Sequence, residues 1–307
     1  MTWHILGAGS LGCLWAARLA RAGFACELIL RNRQRLHEYL AQGGQIGYRA
    51  AAPEQSYVVP VAAGLTSDVQ EIHCLLLCCK AHDAVAAITA IKSRLASGSQ
   101  VFLLQNGMGS QQEIARLLPQ CRVVPGSSTE GAYLEQPFQV VHAGVGSTLL
   151  GDFAGSNEQP AVLADWHQAA INWQWSGDIA AALWRKLALN CMINPLTVVH
   201  GCKNGDLLSF SAKLQQLADE LSQLLSAAGY PLTGETLYGQ GRQVIQATAT
   251  NISSMLQDVQ AGRRTEISHI TGYALAQAQR HRLALPVLHQ LHQQLREQLA
   301  TLGLPTD

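Results

Sequence analysis

The chain has 307 residues, enough for one large domain or two domains of ordinary size. Hydrophobic residues make up 48% of it and charged residues 14%, a composition typical of compact globular proteins. Lysine and arginine together number 21, as do aspartate and glutamate, so the net charge predicts no binding to nucleic acid or to an acidic membrane. The sequence contains no basic leader followed by an apolar segment and no run of about 18 apolar residues, which predicts a cytoplasmic protein.

The sequence has eight cysteines, and no pair of them has the spacing typical of zinc ligands. Most are flanked by apolar residues, and two are adjacent within a strand-like segment. This pattern predicts free thiols in a reducing compartment and no metal site. The cysteines are Cys13, Cys26, Cys74, Cys78, Cys79, Cys121, Cys191 and Cys202.

The first 31 residues alternate strand and helix patterns. Residues 3–6 predict a strand, residues 7–12 predict a glycine-rich turn, and residues 11–22 predict a helix that stops at Gly23. A second strand is predicted over residues 25–30.

The alternation continues to about residue 175. Continuous apolar runs at 74–78 and 101–104 are typical of parallel strands covered on both faces, and residues 83–96 between them have helical periodicity. Residues 45–63 predict a hairpin-like excursion, and within 123–153 the runs at 123–124, 139–141 and 148–151 predict further strands. A helix and a short strand near residues 173–175 follow a polar loop. This order predicts an α/β domain of the Rossmann type, with a doubly wound and mainly parallel sheet.

After Ser176 the periodicity is helical nearly throughout. A long apolar helix is predicted to begin near Ala180, and the later helices are separated by glycines and a proline. We therefore expect a nucleotide-binding domain over 1–176 and an all-helical domain over 177–307. The predicted interruptions are Gly201–Gly205, Gly229–Gly234, Gly262 and Pro286.

The turn Gly7-Ala8-Gly9-Ser10-Leu11-Gly12 matches the G-x-G-x-x-G pattern of dinucleotide-binding domains. The match is informative because it directly follows a predicted strand and opens a predicted helix. Gly7 allows the tight turn, Gly9 lets a pyrophosphate approach the backbone, and Gly12 lets helix and strand pack closely. The unpaired N–H groups at the start of the helix attract phosphates. The sequence thus predicts a bound dinucleotide.

The end of the second predicted strand indicates which dinucleotide is bound. NAD-binding domains place a carboxylate there to accept hydrogen bonds from the ribose hydroxyls, but this chain has Arg31, Asn32 and Arg33. Glu27 lies too early in the strand to take that role. Arginine binds a 2′-phosphate well, so we predict that the catalytic efficiency with NADPH exceeds that with NADH by at least about an order of magnitude. A surface arginine without a ligand role is the alternative reading.

Polar side chains also occur at positions where such proteins bind substrates. Lys80 and Asn106 each follow a predicted strand, at the carboxyl edge where open α/β sheets bind ligands. Lys186, Asn190 and Asn194 recur every four residues along one face of an apolar helix. Such a stripe is costly in a dry core, so it faces either solvent or a cleft against the nucleotide domain.

Taken in order, these segments resemble the ketopantoate reductase family, the 2-dehydropantoate 2-reductases of pantothenate synthesis. Matching blocks across both halves are more specific than the glycine turn alone. The resemblance implies a Rossmann domain followed by a helical domain, with the active site between them. After the glycine turn, the blocks are NGMG (106–109), LWRKLALNCMINPLT (183–197), CKNGDL (202–207), NISSMLQD (251–258) and TEI (265–267).

The resemblance also implies roles for individual residues. Lys186 corresponds to the catalytic lysine of the family and Glu266 to its site glutamate. The stretch Glu130-Gly131-Ala132 is less typical of the family, so only a backbone contact near Ala132 is inferred there. The implied substrate-binding residues are Asn106, Lys186, Asn190, Asn194, Asn204, Asn251 and Ser254. The implied cofactor contacts are Gly7, Ala8, Gly9, Ser10, Leu11, Gly12, Arg31, Lys80, Asn106, Ala132 and Glu266.

These roles describe NADPH-dependent reduction of 2-dehydropantoate to (R)-pantoate by a monomer or homodimer. Lys186 would stabilise charge on the carbonyl oxygen and deliver the proton, and Glu266 would orient the lysine ammonium or a substrate hydroxyl. One alternative is a paralogous NADPH-dependent reductase of another branched 2-keto acid. A non-catalytic NADPH-binding regulator would be expected to lack Lys186 or Glu266, and both are present. A β-hydroxyacid dehydrogenase of the 6-phosphogluconate type has a different pattern in its lysine helix.

Overall fold

The computed structural model of the chain describes residues 1–50 and 52–307. Within these residues the chain forms two compact units. The first consists of Met1–Gln105 and Ser110–Ala180, and the second consists of Asn106–Gly109 and Ala181–Asp307. The expected division at residue 176 differs from these units by a few residues at the start of the long helix. It differs also by the segment Asn106–Gly109, which packs with the helical unit.

The first unit contains strands and helices in alternation. Its strands are β1 (Trp3–Leu6), β2 (Cys26–Leu30), β3 (Gln45–Arg49), β4 (Tyr57–Pro60), β5 (Ala62–Leu65), β6 (Ile72–Leu77), β7 (Leu95–Leu103), β8 (Arg122–Ser128), β9 (Gly131–Gln136), β10 (Gln139–Gly144), β11 (Thr148–Leu150) and β12 (Trp173–Trp175). Its helices are α1 (Ser10–Arg21), α2 (Arg33–Ala41), α3 (Ala81–Ile91), α4 (Ser110–Leu117) and α5 (Ala164–Gln168).

The larger sheet has the strand order β12-β11-β8-β7-β6-β1-β2-β5. Its neighbouring strands are parallel except at the pair β8 and β11. The central strands are buried on both faces, as the continuous apolar runs predict; Leu75, Leu76 and Leu77 in β6 have no exposed surface. The predicted Rossmann-type, mainly parallel sheet is therefore confirmed. It places the carboxyl ends of β1, β2, β6 and β7 along one edge.

The smaller sheet, of order β4-β3-β10-β9, packs against α1. The predicted excursion over residues 45–63 includes residue 51, which lies outside the described residues. Around it, β3 and β4 form an antiparallel pair, so the hairpin is confirmed. The end of the segment departs from that prediction, because β5 returns to the larger sheet beside β2. β9 was not predicted, because its sequence GAYLEQ has a weak apolar alternation.

One predicted helix boundary is wrong. Residues 83–96 are periodic enough to predict a helix throughout, but α3 ends at Ile91 and a 3-10 turn occupies Lys92–Arg94. Leu95 and Ala96 already belong to β7, where both are buried. Alanine and leucine suit a helix and a buried strand alike, so the tertiary position of β7 beside β6 decides the conformation.

The second unit is helical, which confirms the predicted change of pattern after residue 176. Pro195 lies inside the long helix that begins this unit. The glycine segments at 201–205 and 229–234, Gly262 and Pro286 lie between helices or at their ends, as predicted. The helices are α6 (Ile179–His200), α7 (Ser211–Ala227), α8 (Gly234–Ala247), α9 (Ser254–Gln260), α10 (Thr271–Arg280) and α11 (Pro286–Thr301), with a 3-10 helix over Asn204–Phe210.

Candidate active site

The glycine turn (residues 7–12) connects β1 to α1, and its three glycines have different surroundings. Gly7 has φ +109°, and a Cβ atom there would lie 2.6 Å from the backbone nitrogen of Cys79. A Cβ atom at Gly12 would overlap the carbonyl oxygen of Gly7. At Gly9, by contrast, no atom of the described residues lies within 4 Å of the Cβ position. The first and third glycines are thus needed for the turn itself, whereas Gly9 leaves open space beside the backbone.

The side chains that follow β2 are basic. Arg31 and Arg33 are exposed, while Asn32 caps α2 by accepting a hydrogen bond from a backbone N–H of the first turn at 2.9 Å. Glu27 lies earlier in the strand, on the side of His4, with 3.7 Å between a carboxylate oxygen and a ring nitrogen. The end of β2 therefore offers cations where a bare ribose would need a carboxylate.

Lys80 and Ala132 lie in different parts of the first unit. Lys80 follows β6 and is the N-cap residue of α3. It directly follows Cys79, whose backbone packs against Gly7, so Lys80 lies at the same edge of the sheet as the glycine turn. Ala132 lies in β9 of the smaller sheet, paired with His142, and β9 packs against α1.

The segment Asn106–Gly109 is held by the helical unit through backbone contacts. The N–H of Met108 donates a hydrogen bond to the carbonyl oxygen of His269 at 2.8 Å. Gly107 has φ +72°, and a Cβ atom there would overlap the same carbonyl group. The Asn106 amide nitrogen lies 3.4 Å from a carboxylate oxygen of Glu266. The structure therefore brings together two residues that are 160 positions apart in the sequence.

The lysine stripe (Lys186, Asn190 and Asn194) lies on α6. Lys186 and Asn190 are half-buried, and Asn194 is buried. Burial lowers the pKa of Lys186 to about 8, and the carboxylate of Glu266 partly offsets this effect. Glu266 itself is 4% exposed. A lysine with this pKa exchanges its proton near neutral pH, which ordinary surface lysines do not.

Asn204 and Asn251 belong to one network at the end of α8. The backbone N–H of Asn204 donates to the carbonyl oxygen of Asn251 at 2.9 Å, and its side-chain amide donates to the Thr248 hydroxyl at 2.8 Å. The single hydroxyl proton of Thr248 is committed to the carbonyl oxygen of Val244 at 2.7 Å. Thr248 must therefore accept from the Asn204 nitrogen, and this leaves the Asn204 Oδ1 as a buried acceptor without a partner in the described residues.

The two serines at the start of α9 differ in their surroundings. Ser254, the predicted substrate residue, is exposed at the first position of the helix. Ser253 is 5% exposed and caps the helix by accepting a hydrogen bond from Leu256 N–H at 3.1 Å. Its hydroxyl also lies 2.6 Å from the hydroxyl of Thr197 on α6.

The helical unit thus combines a lysine able to give up a proton, a buried carboxylate beside it, and amide and hydroxyl groups for a polar substrate. Such a set suits proton transfer to a carbonyl oxygen that gains negative charge. Among the described residues, no group of three or more histidine, cysteine and acidic side chains is arranged to hold a metal ion. None of the described helices is both long and apolar enough to span a membrane.

The comparisons with known proteins agree over most of the chain. Residues 3–155 match the model "Ketopantoate reductase PanE/ApbA", and residues 178–299 match "Ketopantoate reductase PanE/ApbA C terminal". The chain belongs to the ketopantoate reductase family. It is 35% identical over 296 residues to the 2-dehydropantoate 2-reductase of Vibrio cholerae, covering 95% of this chain and 96% of the relative. It is 33% identical over 286 residues to that of Yersinia pestis, covering 92% of this chain and 90% of the relative.

Solved structures agree with this family membership. A PanE/ApbA family ketopantoate reductase from Ralstonia eutropha has a TM-score of 0.88 and 25% identity, covering 99% of this chain and 100% of that chain. The fold is also that of D-mandelate dehydrogenase, solved with NADH and anilino(oxo)acetate, with a TM-score of 0.89 at 20% identity and the same coverage. The resemblance inferred from the sequence blocks is therefore confirmed, and the chain is an oxidoreductase of the ketopantoate reductase family.

Sequence reasoning did not identify several residues that form hydrogen bonds with the predicted site residues or their neighbours. Thr248 orients Asn204, Thr197 bonds Ser253, and the His269 carbonyl holds the Asn106–Gly109 segment. Thr197 lies inside the block that carries the family resemblance, three residues after Asn194, which is the one signal in its favour. The partners of these residues are distant in sequence, so no spacing rule connects them.

Proposed function

We propose that this chain reduces 2-dehydropantoate to (R)-pantoate with NADPH, with Lys186 as the general acid. The half-buried Lys186 is the observation that supports this most directly. Its burial lowers its pKa to about 8, and the Glu266 carboxylate partly offsets this effect. A catalytic acid is most effective when its pKa lies near the working pH. The 2-dehydropantoate 2-reductases to which the chain is similar indicate the keto acid.

The residues present fit a dinucleotide with a 2′-phosphate. Gly9 leaves open space beside the N-terminus of α1, where N–H groups attract a pyrophosphate. Arg31 and Arg33 are exposed cations at the end of β2, and the partly buried Lys80 lies at the same sheet edge as the glycine turn. When bound, NADPH supplies the hydride that the reduction of a ketone requires. We assign Gly7, Ala8, Gly9, Ser10, Leu11, Gly12, Arg31, Lys80, Asn106, Ala132 and Glu266 to cofactor contacts.

In the proposed reaction the keto carbon gains a hydride and its oxygen gains a proton. The Lys186 ammonium stabilises the developing negative charge and transfers a proton from Nζ to that oxygen. Glu266 favours the charged form of the lysine and bonds the Asn106 amide at 3.4 Å, so it couples the two groups. Asn190, Asn194, Asn204, Asn251 and Ser254 bind the carboxylate and hydroxyl groups of the substrate, which fixes the reacting carbon.

The proposed function is tested by following the loss of NADPH absorbance with ketopantoate as the substrate. We expect turnover with ketopantoate and (R)-pantoate as the product, identified by chiral chromatography. Other branched 2-keto acids are assayed in parallel, and a higher kcat/KM with one of them would replace ketopantoate as the substrate. Binding of NADPH without turnover of any keto acid would instead indicate a regulator.

The cofactor preference is tested separately by comparing NADPH with NADH. We expect kcat/KM with NADPH to be higher by at least about ten-fold, because arginine binds a phosphate and offers no acceptor to a ribose diol. In Arg31→Ala the efficiency with NADPH should fall while that with NADH stays within about two-fold of the unmodified chain. Equal efficiencies with both cofactors in the unmodified chain would contradict the assignment.

We further propose that the chain works in the cytoplasm as a monomer or homodimer. All eight cysteines of the sequence are free thiols in the structure, as expected of a protein from a reducing compartment. Fractionation of the native host locates the protein, and light scattering coupled to gel filtration distinguishes the two assembly states.

A further inference from the structure

A pair of buried hydroxyl groups connects α6 to the start of α9. The oxygens of Thr197 and Ser253 lie 2.6 Å apart, Thr197 has no exposed surface, and Ser253 is 5% exposed. The two residues are 56 positions apart in the sequence. Each makes a further bond within its own segment: Thr197 to the carbonyl oxygen of Asn194 at 2.7 Å, and Ser253 to the N–H of Leu256 at 3.1 Å.

The direction of every hydrogen bond in this series follows from the number of protons that each hydroxyl group has to donate. A carbonyl oxygen accepts and cannot donate, so the single hydroxyl proton of Thr197 goes to Asn194. Thr197 must then accept the proton of Ser253, because it has no second proton to give. Ser253 in turn accepts from Leu256 N–H through its remaining lone pair. The bonds run one way, from the α9 backbone through two hydroxyls to the α6 backbone, and such chains strengthen one another.

The α6 end of this series of hydrogen bonds lies at a conformation that the local sequence disfavours. Asn194 precedes Pro195, and a residue before proline is driven away from helical backbone angles by the proline ring. Asn194 is nevertheless helical in α6. The bond that its carbonyl oxygen accepts from Thr197 ties the hydroxyl pair to the backbone of the residue that carries the Asn194 side chain.

At its α9 end, this series of hydrogen bonds fixes Ser253, the residue next to Ser254. Ser253 fixes the first turn of α9 as its cap, and Ser254 is the first residue of that helix. A shift of the cap would move the exposed Ser254 hydroxyl with it. Thr197 thus connects the backbone of Asn194 to the position of Ser254, two residues assigned above to substrate binding.

We propose that Thr197 is a positioning residue for substrate binding, acting through Ser253 to fix the spacing between Asn194 and Ser254. This inference rests on the proposed function, since those two residues are substrate contacts there. Thr197 has no exposed surface, and the reacting group, Lys186, lies about three helical turns earlier on α6. Loss of its hydroxyl therefore weakens substrate binding and leaves the proton transfer itself largely intact.

The test compares three variants. Thr197→Val keeps the shape of the side chain and removes its hydroxyl, and Thr197→Ser keeps the hydroxyl and removes a methyl group. Thr148→Val is the matched control, because Thr148 also has no exposed surface and donates to a serine hydroxyl, that of Ser128, at 2.9 Å within the first unit. Each variant is first checked for folding by circular dichroism and thermal unfolding.

In Thr197→Val we expect KM for ketopantoate to rise about ten-fold, with kcat within about three-fold of the unmodified chain. Thr197→Ser should restore KM to within about two-fold, and Thr148→Val should leave it unchanged. Ser253→Ala should raise KM similarly. In the double variant with Thr197→Val and Ser253→Ala, the rise in KM should be smaller than the product of the two single rises, because each substitution breaks the same hydrogen bond. An unchanged KM in Thr197→Val, or an equal rise in Thr148→Val, would overturn the inference.

A second readout does not depend on the substrate. Hydrogen exchange at the Leu256 amide reports the cap of α9, and we expect it to become several-fold faster in Thr197→Val but not in Thr148→Val. If the unmodified chain does not turn over ketopantoate, the proposed function fails, while this measurement still decides whether Thr197 holds the cap of α9 in place. Unaltered exchange in Thr197→Val would then refute that role.

Discussion

The glycine turn and the lysine stripe are built in opposite ways. In the turn, the positions of Gly7 and Gly12 are required by backbone packing, and Gly9 leaves open space. The feature predicted to bind a ligand is therefore an absence of side chains, and the glycines that produce it can be identified directly in the sequence. In the helical unit, the predicted functional groups are side chains whose orientation depends on hydrogen bonds with distant segments, such as the bond that the Asn204 amide donates to the Thr248 hydroxyl.

This difference has a consequence for mutation. A side chain added at Gly9 meets no protein atom of the described residues, so it should affect ligand binding alone. A side chain removed from the lysine stripe should affect the chemistry and leave the glycine turn unchanged. The two regions can therefore be disabled separately, and each variant tests the assignment of one of them.

The largest effect is expected from Lys186→Ala. Removing the ammonium group eliminates both the proton donor and the charge that stabilises the carbonyl oxygen, so kcat for ketopantoate should fall about 10³-fold or more. The dissociation constant for NADPH, measured by fluorescence titration, should stay within about three-fold. Arg185→Ala is the control, because it removes the same charge from an exposed position on the same helix. A near-normal kcat in Lys186→Ala would exclude the lysine from the role.

A smaller effect, on the other region, is expected from Gly9→Ala. The added methyl group occupies space that a pyrophosphate would need, so the dissociation constant for NADPH should rise about 10- to 100-fold. The unfolding temperature should stay nearly unchanged, since no described atom is near the new methyl group. Gly239→Ala provides the matched control: it too adds a methyl group in open space, but on α8. Unchanged NADPH binding in Gly9→Ala would place the cofactor elsewhere.

The sequence was sufficient for the fold class and for most of the large sheet. Apolar runs such as 74–78 can be read because a strand covered on both faces needs apolar residues throughout. Boundaries were less certain where one composition suits two conformations, as at Leu95 and Ala96, which join β7 rather than α3. β9 was missed because an exposed strand of the smaller sheet has little apolar alternation to recognise.

The helical site was accessible from the sequence in part. The four-residue spacing predicted that Lys186, Asn190 and Asn194 share a face, but the choice between solvent and a site came from the family blocks. The hydrogen bond between Asn106 and Glu266 could not be predicted, because 160 positions separate them and no local pattern pairs them. The same holds for Thr197 and Ser253, whose contact depends on how α6 and α9 pack.

The smallest expected effect concerns pH: turnover by the lysine stripe should depend on it, whereas NADPH binding at the glycine turn should not. Burial sets the pKa of Lys186 at about 8, below the usual lysine value, and Glu266 raises it. Since the acid must be protonated, kcat/KM for ketopantoate should be constant below that pKa and should fall as the pH rises through about 8. In Glu266→Gln the carboxylate no longer favours the ammonium, so the fall should move to lower pH by about one unit.

The control for this shift is Glu220→Gln. Glu220 is also a buried carboxylate of the helical unit, 7% exposed, but it accepts hydrogen bonds from the backbone N–H groups of Val287 and Leu288 at the start of α11. Its variant should keep the pH profile of the unmodified chain, and NADPH binding should be insensitive to pH over the same range in all three proteins. A profile that stays in place in Glu266→Gln would mean that burial alone sets the lysine pKa. A shift to higher pH would contradict the pairing of Lys186 with Glu266, because losing a neighbouring negative charge can only lower the pKa of an ammonium group.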